Sequence, residues 1–360
     1  MRIGVEAALV DGRLVAGDVE VDGGRIAGVG VAGRGTGVAV PGFVDLRVHG
    51  FGGVDFAAAD AAAYRRAGEA MVATGVTAFQ PTFVTAPEEE LVASLREVPS
   101  GDAGPRILGC HLEGPFLSPQ RLGMHPGSAR RDPDVDLLRR LVAAGPVTHM
   151  TLAPELDGAL DLVDTLRSAG AVAACGHTDA TADEARAAFD RGAEHVTHLY
   201  NAMRPFTHRD PGIAGAALVR DDVTVELILD GHHVSDEAAL VAWRAARGRV
   251  ALVTDGMAAT GAGDGTWEMG PVAVEVRDGV VRTLDGVLAG SVLTMREAIR
   301  NAVRIGIRFE EAVDAATRVP ARAARRTDVG VLEPGAPADV VVLDGDLEVS
   351  RVVVGGVDRG

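Results

Sequence analysis

The sequence predicts an α/β fold: a (β/α)8 TIM barrel with a small β-sandwich domain formed by the N- and C-terminal segments. Three observations carry this. Eight apolar runs of strand character alternate with amphipathic helical stretches between residues 42 and 255. Short strand-like runs with Gly turns occupy both ends of the chain. An ionisable residue closes most of the eight runs, the position at which barrels gather their chemistry.

The first forty residues read as Val5–Val10, Arg13–Val15, Asp18–Val21 and Arg25–Val29, punctuated by Asp11-Gly12 and Asp22-Gly23-Gly24, which are hairpin signals. Val340–Leu343 and Val352–Val354 read the same way. Neither end can bury a core alone, so the two are expected to pair. The expected division is residues 1–40 plus 330–360 for the small β domain and 41–329 for the barrel. The barrel runs are Gly42–His49, Val76–Phe83, Arg106–Glu113, His149–Ala153, Ala171–His177, His195–Leu199, Val223–Leu229 and Val250–Asp255. Apolar residues spaced by three and four predict helices over Ala61–Ala73, Glu88–Val98, Asp136–Ala144, Leu156–Ala169, Ala182–Arg191 and Asp236–Arg247. Thr181 and Ser235 stand as helix starters. The sixth unit is weakest, with only the Gly/Ala-rich Pro211–Arg220. A doubly wound open sheet is the alternative, but no GxGxxG follows the first run.

Composition removes whole classes of function. The 360 residues carry a net charge of −16, which argues against wholesale nucleic-acid binding. No apolar stretch is long enough to cross a membrane, and Met1–Val10 with Glu6 does not read as a signal peptide. Two cysteines make no disulfide framework, so a cytoplasmic location is expected. Every one of the 35 basic residues is arginine. That excludes a Schiff-base lysine, a P-loop lysine and a carbamylated lysine bridging two metals.

His49, Glu113, His177, His198, His233 and Asp255 end, or closely follow, six of the eight runs. In a closed barrel they would converge at one mouth. Glu113, His177 and His198 offer one carboxylate and two imidazoles, a donor set for a borderline divalent ion with a coordination position left open for water. Asp255 is placed to move a proton. Cys175 shares parity with His177 and reads as a core filler facing the barrel interior. Cys110 reads as packing, and His111 is unassigned. His195 lies three positions from His198 and reads as structural, on the opposite face of the strand. Of His232 and His233, one is expected to reach the site.

The strings His111-Leu112-Glu113-Gly114-Pro115-Phe116, Gly176-His177-Thr178, His198-Leu199-Tyr200-Asn201-Ala202-Met203 and Val253-Thr254-Asp255-Gly256 resemble the N-acetylglucosamine-6-phosphate deacetylase family, within the amidohydrolase superfamily. The stretches Val40–Asp45 and Glu333–Asp339 resemble that superfamily's domain junctions. The resemblance implies deacetylation of N-acetyl-D-glucosamine 6-phosphate to glucosamine 6-phosphate and acetate, in amino-sugar catabolism and recycling. It implies one divalent metal ion per subunit on Glu113, His177 and His198, with zinc ahead of iron, manganese or cobalt. It implies Asp255 as general base and acid and His125 as the group that polarises the acetamide carbonyl. It implies Asn201, Ala202, Arg209, His233, Leu288, Ala289 and Gly290 as substrate-binding residues, backbone N–H groups near Asn201-Ala202 adding donors. It further implies a homodimer in which Arg209 reaches the other subunit's site. Many relatives end the first strand in His-x-His and hold a second metal, where this chain has Arg47-Val48-His49. A guanidinium has no lone pair to offer, so a single ion is expected, with Arg47 supplying positive charge in place of the second. Two other readings are an amidohydrolase acting on a cyclic amide or N-acyl amino acid, and a non-catalytic scaffold that has lost its ligands.

Overall fold

Residues 1–101 and 104–360 are described by a computed structural model. Eight parallel strands run in chain order: Phe43–Val48, Val76–Val84, Arg106–Ile107 continued by Cys110–Glu113, Val147–Leu152, Val172–Cys175, His195–Val196, Thr224–Leu227 and Val250–Leu252. Each pairs in parallel with the next. The eighth meets the first through a bridge between Val48 and Gly256, where His49 N–H donates to the Gly256 carbonyl at 2.7 Å. The expected barrel is therefore present, with a narrow closing seam.

Helices follow the strands at Ala61–Val72, Glu88–Glu97, Val135–Ala144, Ala159–Ser168, Ala182–Arg191, Gly212–Leu218, Asp236–Ala245 and Met295–Arg304. Thr181 caps its helix reciprocally with Glu184, and the Ser235 side chain accepts from Ala238 N–H. The weak sixth helix is buried at every one of its residues, so it carries no polar face for a periodicity argument to find. The eighth helix and the two short ones after it, Phe309–Ala315 and Arg318–Ala323, lie beyond the helices that residue spacing predicts.

Both termini build one six-stranded sheet. Val38–Pro41 lies between Ala7–Val10 and Val340–Leu343, and a hairpin of Asp18–Asp22 with Arg25–Val31 packs across it. Ile3, Val19, Val21, Ile26, Val340 and Val353 fill the space between. This is the β-sandwich that the Gly-punctuated ends predict. A three-stranded antiparallel sheet, Gly265–Met269, Val272–Arg277 and Val280–Thr283, interrupts the chain after the eighth strand. Its apolar face buries Met269, Val274, Val276 and Val281 with Met257 and Ala289.

Three strands stop short of the residues expected to end them. His177, His198 and Asp255 take φ values of 48°, 26° and 54°, in the left-handed region that non-glycine residues avoid. Strain of about 1–3 kcal/mol per residue is typical there and gathers at functional sites. The turn also breaks the two-residue alternation on which the parity arguments depend. Thr151, Ala174 and His195 are register partners, and Thr151 faces inward onto Arg47, so Cys175 points out toward the helices. His195 points inward, with Nε2 3.4 Å from Glu226 Oε1. Both side-chain directions correct the sequence reading.

Candidate active site

The mouth of the barrel holds a cavity of about 290 Å3 lined by Glu113, His125, His177, His198, His233 and Asp255, with Asn201, Ala202, Leu288 and Gly290. His177 Nε2 and His198 Nε2 are 3.0 Å apart. Glu113 Oε1 lies 3.3 Å from the first and 3.2 Å from the second. Three donors at about 2.1 Å from one ion stand about 3.0 Å apart at right angles and about 3.4 Å apart at tetrahedral angles. The observed triangle fits a single small divalent ion.

Ring tautomers separate the histidines by function. His177 Nδ1 donates to the Arg121 carbonyl at 3.0 Å, which leaves Nε2 with a free lone pair. Burial, reinforced by His125, pushes the His177 imidazole down to about 4, so it is neutral at pH 7. The loop bearing Arg121 is held by ion pairing of the Arg121 side chain with Asp179 at 2.6 Å. His125 is the opposite case. Its Nδ1 accepts from Thr85 N–H at 3.1 Å, so the neutral ring carries its proton on Nε2. That proton faces Glu113 Oε2 at 3.5 Å. Glu113, His125 and His177 are close enough to form a metal group, but His125 presents a donor there, not a lone pair.

Glu113 is buried, yet the Arg47 charge, followed by the hydrogen bond from His125, holds its carboxyl well below the usual range. Arg47 is wholly buried, donating from Nη1 to Glu113 Oε1 and from Nε to Glu226 Oε2, both at 2.8 Å. Glu226 was not anticipated, since it sits alone between Val225 and Leu227 in a run that reads as ordinary core. Asp255 Oδ1 accepts from His49 Nε2 at 3.2 Å. Against its burial, that bond and the His49 charge pull Asp255 to about 2, and in turn hold the His49 imidazole above its ordinary range. His49, Glu113 and Asp255 form a second close donor group, with Arg47 Nε 3.9 Å from Asp255 Oδ1.

The remaining predicted residues divide. His233 lines the cavity and donates from Nδ1 to Asp230 Oδ2 at 2.7 Å, whereas His232 is exposed beside it. Against burial, Asp230 holds His233 above the ordinary imidazole range. Asn201 N–H is spent on the His198 carbonyl at 3.0 Å, so that expected donor does not face the cavity. Ala289 is buried between Leu288 and Gly290, which reach the cavity. Arg209 lies outside it, exposed on the loop before Gly212. A larger cavity of about 510 Å3 sits beside Arg300 and Arg304, but these are paired with Glu348 at 2.7 Å and Asp236 at 2.9 Å.

The sequence profile of the amidohydrolase family matches residues 38–358. An N-acetylgalactosamine-6-phosphate deacetylase of Escherichia coli O157:H7 is 38% identical, the match covering 91% of this chain and 89% of that protein. An N-acetylglucosamine-6-phosphate deacetylase of Vibrio furnissii is 37% identical over 88% of this chain and 82% of its own. The N-acetyl-D-glucosamine-6-phosphate deacetylase of Mycobacterium smegmatis, solved as a variant in complex with N-acetyl-D-glucosamine 6-phosphate, superposes with a TM-score of 0.95 at 39% identity, covering 100% of this chain and 99% of that one. The chain belongs to the amidohydrolase family and, within it, to the N-acetylglucosamine-6-phosphate deacetylases.

Proposed function

We propose that this protein hydrolyses the acetamide of N-acetyl-D-glucosamine 6-phosphate, giving D-glucosamine 6-phosphate and acetate. One observation carries the reading. A free imidazole lone pair, a second imidazole and an ionised carboxylate converge within 3.3 Å, beside a protonated ring nitrogen and a separate carboxylate. Glu113, His177 and His198 would hold one divalent ion, and two imidazoles with one carboxylate suit a borderline ion, zinc first with iron, manganese or cobalt as alternatives. When bound, the ion supplies Lewis acidity that polarises the carbonyl and acidifies water.

The chain's own groups do the rest. Asp255, held by His49, takes a proton from the attacking water and returns it to the amine as the C–N bond breaks. His125 Nε2–H donates to the acetamide oxygen as negative charge develops on it. Arg47 places a fixed positive charge beside Glu113 and Asp255, which disfavours a second cation there. His233, Asn201, Ala202 and the Leu288–Ala289–Gly290 segment hold the sugar phosphate. Arg209, exposed and outside the lining of its own cavity, serves a homodimer in which it reaches the other subunit's site and grips phosphate bidentately. Among the described residues no helix is long and apolar enough to cross a membrane, which accords with the proposed cytoplasmic location.

Acetate release tests this, after chelation and re-addition of single metals. Activity should return with one equivalent of metal per chain. N-acetylglucosamine 6-phosphate should be cleaved far faster than the unphosphorylated sugar. Equal rates would favour a cyclic-amide or N-acyl-amino-acid hydrolase. The galactosamine epimer belongs in the assay, because the Escherichia coli relative is named for it.

A further inference from the structure

Glu226 lies in the seventh barrel strand and is fully buried. Its Oε2 accepts from Arg47 Nε at 2.8 Å and from the His198 backbone N–H at 3.1 Å. Its own carbonyl accepts from Leu199 N–H at 2.8 Å. Arg47 carries the connection onward, through Nη1 to Glu113 Oε1 at 2.8 Å and Nη2 to Thr197 Oγ1 at 3.1 Å. That Glu113 oxygen is the one facing His177 and His198. One carboxylate oxygen thus joins the first and sixth strands and, by way of a rigid guanidinium fork, the third.

A buried ion pair adds little net stability over well-packed apolar residues of the same volume. This one fixes position. We propose that Glu226 is a positioning residue of the metal site, acting through Arg47 on Glu113 and through the main chain on His198. The proposal rests on reading Glu113, His177 and His198 as ligands. His198 needs the support because its φ of 26° is strained, and the Glu226 oxygen holds its N–H in that turn. Without the acceptor His198 relaxes toward extended geometry and carries its Nε2 away from His177. The Glu226 charge also offsets that of Arg47, whose Nη1 already donates to the Glu113 oxygen that faces both imidazoles. An unbalanced guanidinium there repels a cation.

The experiment is zinc affinity by competition with a chromophoric chelator, together with the visible spectrum of the cobalt-loaded protein. Wild type is compared with Glu226→Gln, Glu226→Leu and the double variant Arg47→Met with Glu226→Leu. Gln keeps an acceptor oxygen and the side-chain volume, so Glu226→Gln should weaken zinc binding about tenfold, and Glu226→Leu about a hundredfold. The double variant removes the unpaired buried charge that could unfold the single one. It still lacks the acceptor for His198 N–H, so it should remain at least about tenfold weaker than wild type, with a changed cobalt spectrum. Folded variants that bind zinc as tightly as wild type, with its cobalt spectrum, overturn the proposal whatever their melting temperatures. Zinc binding of wild-type tightness in both Glu113→Ala and His177→Ala overturns the ligand assignment instead, and the proposal with it.

Discussion

Two histidines 4.4 Å apart, ring to ring, are given opposite tasks by single backbone groups. The Arg121 carbonyl makes His177 a lone-pair donor, and Thr85 N–H makes His125 a proton donor. His125→Ala should therefore lower kcat about 10²–10³-fold with zinc content unchanged by elemental analysis. Loss of the metal instead would make His125 a ligand. Asp255→Asn keeps the size and loses the base, so turnover should fall by about 10²–10⁴-fold with the ion retained. Ordinary activity in that variant would show that the proton moves elsewhere. Asp255 and His177 are legible in the sequence because each closes an apolar run, whereas His125 is legible only through the family resemblance. Their tautomers are not, because they depend on loops 40 or more positions away in the chain, such as Thr85 for His125. Glu226, Thr151 and Thr197 are hidden for a related reason. A lone polar residue inside an apolar run looks like noise until Arg47 is seen beside it.

At the scale of elements, the alternating strands and helices are plain and their ends are not. Left-handed turns at His177, His198 and Asp255 cut three strands early, and His and Asp, though enriched there over other non-glycine residues, adopt a positive φ too seldom to mark a strand end. The antiparallel sheet over the mouth does leave a trace. Val274–Arg277 alternates apolar and polar, and Asp278-Gly279 is a hairpin turn. Thr294 with Glu297 likewise announces the eighth helix as a capping box. The sheet brings Met269 to the cavity, and the segment that follows it brings Leu288 and Gly290. Gly290 has φ 62°, and a Cβ there would stand 2.9 Å from the Asp255 carbonyl. Gly290→Ala should push the Leu288–Gly290 segment off the cavity and raise KM several-fold, with a smaller fall in kcat. Unchanged steady-state constants would mean the segment does not close over substrate.

For the molecule as a whole, one carboxyl at the barrel's seam ties stability to pH. Asp45, on the first strand, accepts from Thr254 Oγ1 at 2.6 Å and Thr254 N–H at 3.2 Å, beside the closing bridge. Burial raises its carboxyl from 3.8 to about 7. The folded state therefore holds this proton more tightly than the unfolded chain. The contribution is complete below pH 3.8, drains away as pH rises toward about 7, and is gone above it. Urea midpoints should fall across that window, and Asp45→Asn should flatten the decline; an equal slope in the variant would assign it to another group. Pairing of the two chain ends was inferable because neither end could bury a core alone. It has a temporal consequence. Val38–Pro41 must wait for Val340–Leu343, about 300 residues downstream, before its second edge is covered. At about 5–20 residues per second of synthesis, that edge stays open for about 15–60 s on the ribosome. A nascent chain of this kind offers a β-strand template to its neighbours on the polysome until its final segment emerges.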